Sequence, residues 1–308
     1  MRVNQWLVVA AAVMSASSGA ALLRAAQQGQ GQAPSSLPLS HSVRERGSSV
    51  TGAFEGWYFN KDGSVSLLVG YFNRNTKQEL DIPVGPNNRI EPGDPDQGQP
   101  THFLTGRQWG VFSIKVPRDF GTKKLTWTLT TNGQTNTITL HTAKDWIVEP
   151  FEDPASKNRP PVVRFEPNGP PISGPPAGLA ASFTTTWGTP LPLTAWVTDL
   201  GPQINAPEPS GRGRGGAGAG GAFLPPPALS VGWSVMRGPA GVKFDPIKPA
   251  IDKERSGKAT TVATFAAPGD YLLRLQANDH TGEGGSGFQC CWTNALVSVT
   301  VRPVSTDR

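Results

Sequence analysis

Residues that commonly carry catalysis or bind metal ions are scarce in this chain. Four His and two Cys occur in 308 residues, and there is no nucleophile-elbow, zinc-protease or phosphate-loop motif. Lys and Arg outnumber Asp and Glu by 28 to 23, but the basic residues are scattered rather than gathered into a stripe. We therefore expect neither an enzyme nor a nucleic-acid partner, and no cofactor beyond a calcium ion at the Asp clusters described below.

Glycine, proline and large aromatic residues are abundant. The chain has 36 Gly and 30 Pro, more than helices tolerate, and 13 Phe and 9 Trp, whose burial offsets the entropy of ordering the chain. Short runs of alternating apolar and polar residues recur between turn signals. These features predict an all-β fold of two antiparallel β-sandwich domains in series.

The N-terminus has the three parts of a secretory signal. Arg2 is followed by an apolar run from Trp6 to Met14 and then by small residues ending at Ala20. We expect cleavage after Ala20, which makes residues 1–20 a signal peptide, removes the only membrane-spanning candidate and predicts a secreted or periplasmic protein. The alternative is an uncleaved anchor. Residues 21–50 are polar and aperiodic, and we interpret them as a flexible lead-in.

The first predicted domain covers residues 51–148 and precedes a Pro-rich linker at 149–180. Its clearest turn is Asn132-Gly133, a pair typical of a type I′ hairpin. The polar connection at 85–101 contains Asp94 and Asp96 near His102. Carboxylates two residues apart can bind calcium, or they can cap the turns of the loop, as Asp commonly does.

The second predicted domain covers residues 181–303 and is organised around the stretch from Ala263 to Asp279, ATFAAPGDYLLRLQAND. Trp233 stands where an immunoglobulin-type sandwich has its central Trp, and Tyr271 stands where a tyrosine corner returns its hydroxyl to the backbone. The segments TAWVTDLG, VGWSVMRGPAGVKF and VSVTV complete the pattern. This domain resembles the PKD-type and immunoglobulin-like modules of secreted bacterial proteins.

That resemblance implies a spacer, adhesion unit or binding accessory. The first domain, through GWYFNKDGS, LLVGYFNRN, DQGQPTHF and VPRDFG, is similar to a β domain of uncharacterised secreted bacterial proteins and implies no chemistry.

Two unusual loops are predicted to meet at one end of the second sandwich. One is the Gly- and Pro-rich insertion at 201–227, and the other follows Asp279. Asp199 and Asp279 close their strands at that end, with His280 and Glu283 nearby. The carboxylates either bind calcium or accept hydrogen bonds from loop amides.

Cys290 and Cys291 are adjacent, so they cannot form a long-range disulfide. Three states are open to them. They can form a vicinal disulfide that stiffens the loop and presents an apolar sulfur face, they can remain two thiols, or they can pair between molecules. Trp196 alternates outward on its strand, where it either stacks on a sugar ring or is covered by a neighbouring segment.

These patterns together favour a non-catalytic protein acting in surface binding, in adhesion or as a structural module. Its expected partner is a cell-surface polymer or another envelope protein. The alternative is a carbohydrate-binding accessory protein and, less favoured, a glycan-active enzyme.

Overall fold

The computed structural model describes residues 44–199, 229–279, 281 and 290–304. These residues form β-strands, connecting loops and three short 3-10 helices at Arg118–Phe120, Lys144–Trp146 and Lys253–Arg255. The fold is therefore all-β, as predicted. Within the described residues, no helix is long and apolar enough to span a membrane.

Eight strands form the first β region, residues 44–148. They are β1 Val50–Phe59, β2 Val65–Asn73, β3 Leu80–Asp81, β4 Asn88–Glu91, β5 His102–Phe103, β6 Gly106–Val116, β7 Leu125–Thr131 and β8 Gln134–Leu140. The strands pair antiparallel in the orders β1-β2-β6 and β4-β7-β8, with β3-β5 as a small ribbon. Asn132 and Gly133 both have positive φ, of 50° and 72°, which confirms the predicted hairpin turn between β7 and β8.

The core of the first β region is built around Trp127 on β7. This ring is fully buried, and its Nε1 donates to Asn88 Oδ1 at 2.9 Å. Gly52 on β1 lies so close that a Cβ there would stand 2.6 Å from the ring. Since Gly52 has no side chain, the sheet that contains β1 can pack directly on the Trp127 ring of the sheet that contains β7.

Eight more strands form the second β region. They are β9 Val162–Arg164, β10 Leu179–Thr186, β11 Leu191–Thr198, β12 Ser230–Arg237, β13 Val242–Asp245, β14 Lys258–Phe265, β15 Gly269–Asn278 and β16 Trp292–Arg302. One sheet has the order β13-β14-β11-β9 and the other β10-β16-β15-β12. When the strands are lettered along the chain, the two sheets have the orders D-E-B-A and A′-G-F-C of an immunoglobulin-type sandwich.

The two residues that predicted this topology occupy the expected places. Trp233 on β12 is buried, with its ring 6.3 Å from that of Phe244. The Tyr271 hydroxyl donates to the Ala267 carbonyl at 2.7 Å, which makes the corner at Pro268 and Gly269 a tyrosine corner.

The segment predicted as a linker contributes a strand to the second sandwich. Within residues 149–180, β9 pairs antiparallel with β11. Pro161 accepts a hydrogen bond from Thr293 Oγ1, and the Gly174 amide donates to the same hydroxyl. These bonds tie the Pro-rich segment to the start of β16.

The first β region packs against the outer face of the β12-β15-β16 sheet. Met236 belongs to the core around Trp127, and Leu272 and Leu296 pack on that core. Trp292 forms a smaller buried cluster with Tyr58 and Leu68. The outer face of the second sandwich is therefore apolar where it meets the first β region.

Candidate binding site

Asp279 lies at the end of β15, fully buried. Its Oδ1 accepts hydrogen bonds from the amide and the hydroxyl of Thr281, at 2.8 and 2.6 Å. Its Oδ2 accepts a bond from Asn158 Nδ2. Both carboxylate oxygens therefore have protein donors, an arrangement that suits the capping hypothesis for this residue.

The rest of the predicted loop-end site is described only in part. Asp199 follows β11 and is half-buried. His280, Glu283 and the insertion at 201–227 lie outside the described residues. Trp196 is half-buried on β11, with Arg164 of β9 and Lys258 of β14 as its cross-strand neighbours.

Cys290 and Cys291 are joined by a disulfide, as one of the sequence hypotheses proposed. Both residues are buried, and Cys290 Sγ lies 3.8 Å from the Asn158 carbonyl. The prediction of an exposed sulfur face is therefore wrong. The Pro-rich segment predicted as a linker contributes to this burial, because its Asn158 carbonyl contacts Cys290 Sγ.

Asp94 and Asp96 serve the loop and its contact with the second β region. Asp94 Oδ1 accepts the Asp96 amide at 2.9 Å. Asp96 receives both terminal nitrogens of Arg237, at 2.8 and 2.7 Å, and this pairing lowers the pKa of its carboxyl group. His102 does not join them but contacts Asp81 and Glu79, at 2.8 and 3.1 Å. No group of three His, Cys, Asp or Glu side chains that could hold a metal occurs among the described residues.

A cavity of about 610 Å³ lies where the two β regions meet. Its first wall is the β3-β5 ribbon, which carries Glu79, Asp81 and His102. Its second wall is the β12 strand and the outward positions of β15, which alternate with buried apolar positions. The polar groups that these two strands contribute are Ser230, Ser234, Arg274, Gln276 and Asn278, and the segment after β13 adds Lys248. A cavity of this size with convergent polar groups is the usual form of a ligand site.

Protein contacts position two of the polar groups that line the cavity, one of them across the junction. Arg274 is almost fully buried, and its Nη2 donates to Gln108 Oε1 at 2.6 Å. Both ring nitrogens of His102 face carboxylate oxygens, so both contacts are hydrogen bonds only when the ring is protonated. Arg274 and His102 are therefore oriented by protein contacts.

A buried carboxylate supports the cavity from behind. Glu55 on β1 is 4% exposed, and it accepts Arg107 Nη2 at 2.7 Å and the Gly110 amide at 2.9 Å. The Arg107 guanidinium lies 3.9 Å from the ring centroid of Trp109, in cation–π geometry. Burial raises the pKa of Glu55 to about 7, although Arg107 acts in the opposite direction. This network fixes the β6 segment that carries Gln108.

The first β region also has an aromatic surface, formed by Phe54, Phe59, His141, Trp146 and Ile147. Trp146 stacks on Phe54 with a centroid distance of 5.3 Å, and His141 meets both rings edge-on. Trp146 is 45% exposed, and Phe59 and Ile147 are also exposed. One face of the Trp146 ring is thus backed by protein while the side chain stays accessible.

Sequence reasoning missed the cavity, the Glu55 network and the aromatic surface. Only the cavity left a usable signal in the sequence. On β15, Arg274, Gln276 and Asn278 alternate with inward apolar residues, a polar face on a strand that is otherwise part of the core. Glu55 gave no such signal, because its partners Arg107 and Gly110 lie 52 and 55 residues away in the chain.

No family model and no curated protein matches this chain. Solved structures that are similar to it include the following three. Domains 4 and 5 of the S-layer protein SbsC match at 10% identity and a TM-score of 0.21, over 82% of this chain and 98% of that one. A longer SbsC fragment matches at 10% identity and a TM-score of 0.22, over 82% and 28% of the two chains. Dimeric latent PorU from Porphyromonas gingivalis matches at 9% identity and a TM-score of 0.23, over 84% and 24%. The likeness to PKD-type modules stays a prediction.

Proposed function

We propose that this chain is a non-catalytic binding protein, secreted or periplasmic, that recognises a short segment of a cell-surface polymer in the cavity between its two β regions. The observation that carries the proposal is the convergence of polar groups from both regions on one cavity of about 610 Å³. The N-terminal apolar segment supports the compartment.

The chemistry of the cavity favours a hydroxyl-rich ligand without a large net charge. Acidic groups stand on one wall, Glu79 and Asp81, and basic groups on the other, Lys248 and Arg274. A strongly anionic or cationic ligand would meet like charge on one side. Hydroxyl groups both donate and accept hydrogen bonds, and they therefore suit a lining of carboxylates, amides and cations.

Binding is favoured over catalysis because the acidic side chains of the cavity already contact a histidine. Glu79 and Asp81 both contact His102, and both carboxylates are largely exposed to water. General acid catalysis by a carboxyl group usually depends on a buried, apolar setting that raises its pKa.

Thermal unfolding with a panel of di- to tetrasaccharides tests this proposal. We expect at least one sugar to raise the melting temperature of the wild type, because a ligand that binds only the folded state stabilises it. The Gln276→Leu variant should lose the shift, since it removes a half-buried amide from the cavity wall. Gln134→Leu, at an exposed position on β8, is the matched control. An equal shift in both variants would contradict the proposal, as would a panel with no effect.

A second candidate, a carbohydrate-binding accessory function, rests on the aromatic surface around Trp146. An exposed indole held flat by a ring beneath it can stack on the apolar face of a pyranose. Affinity electrophoresis in polysaccharide gels tests it, with Trp146→Ala against Trp187→Ala, since both tryptophans are 45% exposed. Retardation that is lost only in Trp146→Ala supports this function. Retardation that both variants retain contradicts it.

A further inference from the structure

The strand β10 is an edge strand that nothing in the described part of the chain covers. It pairs in parallel with β16 and with no other described strand. Other edges are protected: the backbone of β12 receives the Thr101 amide and donates to the Ile247 carbonyl, and the Asn136 side chain of β8 bonds to the Val50 carbonyl of β1. The eight residues of β10 therefore leave one row of backbone groups unpaired by these residues.

The sequence of β10 contains none of the residues that usually protect such an edge. It reads LAASFTTT, and no Asp, Glu, Lys, Arg or His occurs from residue 167 to residue 198. Natural edge strands commonly carry charges, above all Lys, or a proline that prevents pairing with another chain. The short edge strand β13, by contrast, carries Lys243 and Asp245. β10 is therefore open to strand addition.

Apolar side chains stand at both ends of the strand. Leu179 is 62% exposed and Trp187, one residue beyond the other end, is 45% exposed. Ser182, Thr184 and Thr186 are exposed between them. A partner strand along this edge would remove apolar surface from water at each end and meet hydroxyl side chains between them.

We propose that β10 pairs antiparallel with β10 of a second copy of this chain, joining two sandwiches through one continuous sheet. A two-fold axis near the middle of the strand brings the Leu179 end of one copy beside the Trp187 end of the other. An uncharged Ser/Thr strand is complementary to itself, because cross-strand pairs of hydroxyl residues are favourable and no charge loses its water.

A single pair of short strands buries little surface. Such a contact is weak in dilute solution and becomes populated where copies are concentrated, as on a cell surface. The association should therefore depend steeply on protein concentration.

Sedimentation equilibrium over a concentration series tests the proposal with charge variants of Thr184, an exposed residue near the middle of β10. The average mass of the wild type should rise toward twice the monomer mass. Thr184→Lys and Thr184→Glu should each remain monomeric, because the two like charges then lie close together on either side of the two-fold axis. An equimolar mixture of the two variants should associate again, which separates repulsion at the interface from misfolding.

Thr260→Lys is the matched control, an exposed threonine on β14 in the opposite sheet, and it should associate like the wild type. Three results would overturn the proposal: a wild type that stays monomeric at every concentration, Thr184 variants that associate like the wild type, or a mixture that does not recover association.

Discussion

The buried carboxylate of Glu55 should make the stability of this protein fall as the pH rises toward neutrality. Burial holds the pKa of Glu55 at about 7 in the folded chain, against 4.5 for an ordinary Glu. Between these values the folded state binds a proton that the unfolded state has released. The stabilisation that proton binding at Glu55 gives to the folded state is therefore fully present below about pH 4.5, and it is lost as the pH rises through about 7.

The size of the effect follows from the difference between the two pKa values. At 1.36 kcal/mol for each pH unit, the range from 4.5 to about 7 corresponds to a loss of about 3 kcal/mol of unfolding free energy. For a chain of this length that is a fall in melting temperature of roughly 5–10 °C. Glu55→Gln removes the titrating group but keeps its shape, so its melting temperature should vary less over this pH range.

Differential scanning calorimetry of the wild type and Glu55→Gln at half-unit steps from pH 5 to 8 measures the effect. The melting temperature of the wild type should fall relative to that of the variant as the pH rises, because only the wild type releases a proton from this buried position. Glu254→Gln, at an exposed position, is the control and should follow the wild-type profile. Parallel profiles for wild type and Glu55→Gln would falsify the argument from burial.

Other substitutions test the junction and the caps. Gly110→Ala should lower the unfolding free energy by about 3 kcal/mol, since its Cβ would stand 1.8 Å from the Trp292 ring. Gly133→Ala has positive φ but open space around it, and it should lower the unfolding free energy by only about 1 kcal/mol. Urea unfolding measures both values. Tyr271→Phe should lower stability by about 1 kcal/mol and leave ligand binding unchanged. Asp279→Asn should lower the unfolding free energy by about 2 kcal/mol. Millimolar calcium should leave the melting temperature of the wild type unchanged. A rise in that temperature with calcium would favour a calcium site at Asp279 over a capping role.

Local signals predicted much of the fold. Asn132-Gly133 specifies a hairpin because both residues adopt positive φ readily, whatever the strands pack against. Tyr271 lies close in sequence to the carbonyl that its hydroxyl reaches, so the corner is encoded within a few residues. The alternation of apolar residues on β11, β14 and β15 likewise identified their inward faces, because period two is a property of the strand itself.

The candidate site could not be predicted in this way, because it depends on which faces of distant segments meet. Asp279 is capped by Asn158, which lies 121 residues earlier in the chain, and Gln108 is 166 residues from Arg274. Sequence alone predicted the hairpin turn, the tyrosine corner and the strands β11 to β16 of the second β region, but it placed β9 in a linker and did not predict β10. Only the tertiary structure decided that the first β region packs on the outer face of β12-β15-β16. That packing turns a polar strand face into the wall of a cavity, since the environment of a side chain is a property of the assembled chain.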